Sequence, residues 1–238
     1  MVEIYGVFLE YQLDKHKKMV ENLKKYLSLQ KLIKIQKLVK QEDQMRSIVG
    51  DILIRWLVCK KFKLLNRDLE FTTNEYGKPY ILNKNIGVDY SISHSGSWVV
   101  LAVSPHQVGI DIEKVNNIDI KFAKQFFTYE EYQDLINVPS EERLDYFYVL
   151  WTLKESYVKA KGKGLSIPLD SFSIKINNKN IIKSPPSIYN FNKYQMPDNY
   201  KLAVCSIEKN FPSNIRIITL EELYFASRIT LPKLFIEG

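Results

Sequence analysis

Only two cysteines, Cys59 and Cys205, occur in 238 residues, and each sits in an apolar run. That argues against a disulfide-stapled scaffold and predicts two buried thiols in a reducing, cytoplasmic compartment. No Cys/His cluster has zinc spacing. No apolar run has the length of a membrane span. The first residues, MVEIYGVFLEY, lack the basic start and long apolar centre of a secretory leader, so they are expected to form a strand. Gly/Ser linkers and low-complexity segments are missing. So are G-x-G-x-x-G and the P-loop, which removes the footing for a Rossmann or Walker site. There is no disordered basic tail and no named nucleic-acid motif.

What is present is ample material for a core: 45% hydrophobic residues, 15 Tyr and 12 Phe. Disorder is not expected, and the length suits one large domain or two small ones. The net charge of +7 fits a phosphate-rich ligand or an acidic partner without choosing between them. Lys heavily outnumbers Arg, and Asn, Ile and Tyr are common, as low-GC coding bias would produce.

The order of elements looks duplicated. A strand over 2–11 is followed by two short helices, the first capped by Asp14 and carrying Val20, Leu23 and Leu27 on one face, the second capped by Ser28 and carrying Lys31, Lys34, Lys37 and Lys40. Met45, Ile48, Val49, Ile52, Leu53, Trp56 and Leu57 then recur at helical spacing, predicting a long buried helix over 41–63. EFTTNEYGKPYI turns at Gly77, and YSISHSGSWVVLAVS turns at Ser95-Gly96. After this, VGIDIEKV reads as a strand, FAKQFFTYEEYQDLI as one or two short helices, and a long helix starts at Ser140 and ends at Gly162 and Gly164. IPLDSFSIKIN and YKLAVCSI follow as strands. The expected halves are 1–104 and 105–238, with the ligand site in the crevice between them. Tyr5, Trp56 and Trp98 are read as core.

Two acids stand out in GIDIE, residues 109–113. Asp111 and Glu113 alternate with Ile110 and Ile112, so both carboxylates leave one face of the strand, roughly 6–7 Å apart. Their repulsion is about 2–3 kcal/mol at an effective dielectric near 20. On a wet face screening removes most of it. On a dry face something must compensate, and a divalent cation beside phosphate does so. On the second long helix, Phe147, Trp151, Glu155 and Lys159 are four apart and stack in one row. A solvated Glu155–Lys159 pair would contribute a few tenths of a kcal/mol. Trp151 on the same row argues against that, and Lys154 inside the apolar stripe argues that this helix buries charge.

GIDIE, followed some forty residues later by WTLKESYVKAKGKGL, resembles the 4′-phosphopantetheinyl transferases, whose motifs are a (V/I)-G-(V/I)-D-x-E strand and a W-(S/T/C)-x-K-E-(S/A)-x-x-K helix. Every defined position matches. FTTNEYGKPYI, YSISHSGSWVV, VGDILIR, FFTYEEY and GLSIPLDSFSI are similar, in the same order, to segments of the larger Sfp-type branch, which activates nonribosomal peptide synthetases. The resemblance covers about residues 1 to 224, and the stretch 225–238 falls outside it.

The resemblance implies an α+β fold of two similar halves related by a pseudo-twofold axis, each a small antiparallel sheet packed on a long helix. It implies transfer of the phosphopantetheine arm of coenzyme A to a serine of an apo carrier protein, releasing adenosine 3′,5′-bisphosphate. Asp111, Glu113 and Glu155 match the acids that bind Mg²⁺, with Mn²⁺ as the alternative ion. Glu155 also matches the group that helps deprotonate the serine; a water held at the metal by Glu113 is the other candidate base. Lys159 matches the pyrophosphate contact. Ser93 and His94 match contacts near the 3′-phosphate, Lys31, Lys34 and Ser47 further phosphate contacts, and Lys78 a residue near the adenine. The implied partners are acidic four-helix carrier domains, complementary to the +7 charge, with residues 119–135 bordering the carrier and Phe126, Phe127 and Tyr132 as apolar anchors. The expected state is a monomer that binds neither nucleic acid nor membrane. A catalytically silent coenzyme A- or carrier-binding protein is the alternative, and the presence of all three acids and Lys159 argues against it.

Overall fold

The structure, a computed structural model, describes residues 1–83, 85–177, 180–183 and 188–231. In chain order the elements are β1 (Glu3–Phe8), α1 (Asp14–Leu23), α2 (Leu29–Gln36), α3 (Gln41–Phe62), β2 (Phe71–Thr73), β3 (Pro79–Ile81), β4 (Asp89–Ser95), β5 (Trp98–Ser104), β6 (Val108–Lys114), α4 (Tyr129–Asn137), α5 (Arg143–Lys161), β7 (Lys175–Asn177), β8 (Asn180–Lys183), β9 (Asn190–Gln195), β10 (Tyr200–Ser206), β11 (Arg216–Ile218) and α6 (Leu220–Thr230). The doubled order of strand, short helices, long helix and strands is visible in this sequence of elements. The fold is α+β.

The long helix α3 lies on a sheet ordered β11-β1-β5-β4, and α5 lies on one ordered β6-β10-β9. Apolar residues of α3, among them Ile48, Ile52, Leu53 and Trp56, pack on Val7, Val99 and Leu101. Tyr5, Trp56 and Trp98 are buried as expected, as are both free cysteines. Ser28 caps α2 by accepting from the Lys31 amide, whereas Asp14 caps nothing: it is the first residue of α1, whose cap, Leu13, offers no side-chain acceptor. Gly162, at φ +67°, ends α5 in the left-handed conformation that costs glycine little.

One expectation about the sheets needs correction. The first sheet is not purely antiparallel, because β11 runs parallel to β1. The chain after residue 215 leaves the second half, adds this edge strand to the first, and lays α6 on α1 and α3. Leu220 and Leu223 bury themselves in the first core, which gives an apolar reason for the return. The described part of the stretch outside the family resemblance, 225–231, therefore goes with the N-terminal half, and the remaining residues, 232–238, lie outside the described residues.

Lys154 is fully buried, as its place in the apolar stripe of α5 requires. Its ammonium donates to both Glu131 carboxylate oxygens, at 2.6 and 2.7 Å, and to the Phe172 carbonyl at 2.6 Å. Glu131 also accepts from the Thr128 and Ile174 amides, so it closes the capping box of α4 and tethers the segment after α5.

Gly109 is where β6 meets α5 most closely. A methyl group there would stand 2.0 Å from the Ser156 carbonyl oxygen and 2.3 Å from the Ala160 nitrogen. Both are helix backbone and cannot rotate away. Gly109→Ala is expected to lower unfolding free energy by about 3 kcal/mol, the top of the usual overpacking range. Gly50→Ala meets only side chains, Ile92 at 3.1 Å and Val99 at 3.5 Å, and is expected to be nearly neutral. Urea unfolding of the two variants checks the contrast.

Candidate active site

β4 and β6 are edge strands of different sheets that run alongside each other. The amides of Val108, Ile110, Ile112 and Lys114 donate in turn to the side-chain oxygens of Asp89, Ser91, Ser93 and Ser95, at 2.9, 3.2, 3.4 and 3.1 Å. Every second residue of one strand thus serves every second amide of the other. This seam of short polar side chains joins the two halves where a continuous sheet would use backbone carbonyls.

The acids of GIDIE stand on this seam. Asp111 is buried; its Oδ1 accepts from the Ser93 hydroxyl at 2.9 Å and from the Lys159 ammonium at 2.7 Å, and the ammonium also reaches the Ser93 oxygen at 2.9 Å. Oδ2 of Asp111 is buried without a partner. Glu113 accepts from the Ser95 hydroxyl at 2.8 Å. Glu155 projects from α5 one turn before Lys159. Burial first, then the Asp111 charge, raises the carboxyls of both glutamates, Glu113 to about 7. One ammonium stands among three acids, and it is paired with Asp111.

Asp111, Glu113, Glu155, Lys159, Ser93 and His94 line one cavity of about 380 Å³, together with Ile92 and Trp151. Ile92, Trp151, Glu155 and Lys159 also border a cleft of about 660 Å³, walled by Tyr76–Pro79 from the first half and by Phe126 and the Gly162–Asp170 region from the second. Lys78 lies in that wall, but its ammonium is held by Asp89 at 2.6 Å and the Val108 carbonyl at 3.1 Å. Asn74 closes the same contact by donating to the Gly162 carbonyl at 2.7 Å.

Six of the ten site residues named from sequence therefore share one cavity, and Lys78 lines the adjoining cleft. Lys31, Lys34 and Ser47 line neither: the Lys31 ammonium is 3.5 Å from Asp51, Lys34 is exposed on α2, and Ser47 is half-buried on α3. Ser93 is buried, with its hydroxyl engaged by Asp111, Lys159 and the Ile112 amide. Of the three anchors expected over 119–135, Phe127 is buried against Phe147, and Phe126 stands edge-on to Trp151 at 5.2 Å. Tyr132 is half-buried, and the exposed large apolar side chains of the segment are instead Phe122 and Tyr129. Sequence reasoning missed Ser95. The spacing of Ser91, Ser93 and Ser95 in SISHS was the available signal.

The donor set suits a hard divalent cation: three carboxylates, one with a buried oxygen lacking a partner, and no sulfur. Among the described residues, however, no three such groups stand close enough to grip an ion as they are. Lys159 takes the place of a counter-charge on Asp111.

No helix among the described residues is long and apolar enough to cross a membrane. The family model "4′-phosphopantetheinyl transferase superfamily" matches residues 107–205, and "4′-phosphopantetheinyl transferase, N-terminal" matches 15–106. The chain is 37% identical over 229 residues to 4′-phosphopantetheinyl transferase Sfp of Bacillus subtilis, covering 93% of this chain and 100% of that one. It is 36% identical over 227 residues to 4′-phosphopantetheinyl transferase gsp of Aneurinibacillus migulanus, covering 93% and 92%. Among solved structures, a holo-(acyl-carrier-protein) synthase from Bacillus anthracis in complex with CoA covers 42% of this chain and 93% of its own, at 19% identity and a TM-score of 0.36, too loose an overlap to bear on the ligands of this chain.

Proposed function

This chain belongs to the 4′-phosphopantetheinyl transferases, and from that premise we propose that it moves the phosphopantetheine arm of coenzyme A to a serine hydroxyl of apo carrier domains of nonribosomal peptide synthetases, releasing adenosine 3′,5′-bisphosphate. The observation that carries the assignment of the site is the buried, unpartnered Oδ2 of Asp111 beside two glutamates and a lysine. A buried carboxylate oxygen without a donor costs on the order of 1–3 kcal/mol, a cost explained if a ligand supplies the missing partner.

Asp111, Glu113 and Glu155 would hold Mg²⁺, which when bound neutralises pyrophosphate charge. The residues themselves divide the remaining work. Lys159 borders both the acid cavity and the larger cleft, so its ammonium can turn from Asp111 to a phosphate oxygen. Glu155, its carboxyl raised by burial and by Asp111, accepts the proton of the incoming serine. The serine oxygen then bonds to the β-phosphorus, while the bond from that phosphorus to the bridging pyrophosphate oxygen breaks and its electron pair leaves on the 5′-phosphate of adenosine 3′,5′-bisphosphate. Trp151 and Ile92 give the site an apolar wall, beside which each of these contacts is less screened than in bulk water.

Intact mass of an apo peptidyl carrier domain incubated with the protein, coenzyme A and Mg²⁺ tests this function. One added phosphopantetheine mass, abolished by a chelator, is the expected result. Binding of coenzyme A with no mass gained on any apo carrier would favour the silent alternative. For Lys159→Ala, kcat is expected to fall about a hundredfold while the coenzyme A Kd rises only a few-fold. An equal loss in both would make Lys159 a ground-state contact.

A further inference from the structure

We propose that Ser95 is a positioning residue for Glu113, the member of the serine seam that aims this acid into the site. The proposal rests on Glu113 being one of the acids that hold the divalent cation.

Ser93 and Ser95 each make two contacts with β6. The oxygen of Ser93 accepts from the amide of Ile112, and its hydroxyl donates to Asp111. The oxygen of Ser95 accepts from the amide of Lys114, at 3.1 Å, and its hydroxyl donates to Glu113, at 2.8 Å. In both cases the amide belongs to the residue after the acid. One hydroxyl thus pins the strand and the carboxylate together and leaves the acid few rotamers. Ser91 stands two residues earlier and accepts from the Ile110 amide at 3.2 Å. The residue preceding that amide is Gly109, so Ser91 makes the strand contact without an acid to aim.

Ser95 is itself held from both halves. It opens the turn Ser95–Ser97, whose Gly96 carbonyl accepts from the Arg46 guanidinium at 2.6 Å and from the Tyr11 hydroxyl at 2.7 Å. The Ser97 amide donates to the Tyr200 hydroxyl at 2.9 Å. A group fixed in this way can hold a long, flexible glutamate in one pose, and partners of metal-binding carboxylates commonly change metal affinity by 10–100-fold.

The test is calorimetric titration of Mg²⁺ into the protein saturated with coenzyme A, with the melting temperature recorded for each variant. Ser95→Ala is expected to weaken Mg²⁺ binding about tenfold or more, and Ser95→Thr, which keeps the hydroxyl, to restore it to within about threefold. Ser91→Ala removes a seam contact without an acid and is expected to lower the melting temperature without weakening Mg²⁺ binding. Glu113→Gln separates the two levels of the argument. If it leaves Mg²⁺ affinity unchanged, the assignment of Glu113 to the cation fails. If it weakens binding while Ser95→Ala does not, only the positioning role fails. Equal losses in Ser91→Ala and Ser95→Ala would also overturn that role, since the seam as a whole would then be responsible.

Discussion

Asp111→Asn is expected to lower kcat/KM for transfer by about a thousandfold or more while leaving the melting temperature within about 3 °C of the parent. The two halves of this expectation have one cause. Asp111 is buried with one oxygen unpartnered, and its charge raises the carboxyls of Glu113 and Glu155. Such a group weakens the resting fold through repulsion and desolvation, and natural sites retain it for function. Removing the charge relieves both glutamates and releases Lys159, whose side chain is 31% exposed and can be solvated. Calorimetry and transfer kinetics on the same preparation check it. A variant with activity within tenfold of the parent, or one that loses activity only because it unfolds, would count against the role of Asp111.

Lys154→Met should do the reverse, damaging stability first. It strands Glu131, a carboxylate as deeply buried as Lys154, with only amide donors for company. Removing one partner of a buried pair typically costs about 3–5 kcal/mol, a fall in melting temperature on the order of 10 °C for a chain of this size. Pairing it with Glu131→Gln should recover much of the loss, because the charge goes while the amide side chain can still close the capping box of α4. A single-variant loss below about 1 kcal/mol, or a double variant worse than the single, would mean the pair does not hold α4 against α5.

Features that repeat along one element were legible in the sequence. The spacing from Met45 to Leu57 placed α3 within a residue of its observed end, and Lys154 in the stripe of α5 announced a buried charge. Its partner was not legible, because Glu131 lies on another helix and its own sequence context is only that of a capping residue. The acids of GIDIE were visible as a same-face pair. Their dry setting was not, since it depends on β4 and α5 closing over β6 from two sides. SISHS reads as a half-polar strand, and nothing in a period of two says that its serines serve the amides of a strand in the other half. The return of residues 216–230 to the first half is likewise a matter of which core is open to Leu220 and Leu223, and a pattern within the segment carries no such address. Gly109 could be read as part of a motif, but the reason for glycine, an α5 backbone 2.0 Å from any added methyl, belongs to the packing.

The most direct test of the central claim, that Asp111, Glu113 and Glu155 form one cation site on the seam between the halves, is an anomalous difference map from crystals grown with coenzyme A and Mn²⁺. The account predicts a single strong peak bounded by these three carboxylates, with Lys159 moved from Asp111 towards the phosphates. A peak elsewhere, or Lys159 still paired with Asp111 while coenzyme A occupies the cleft, would contradict it.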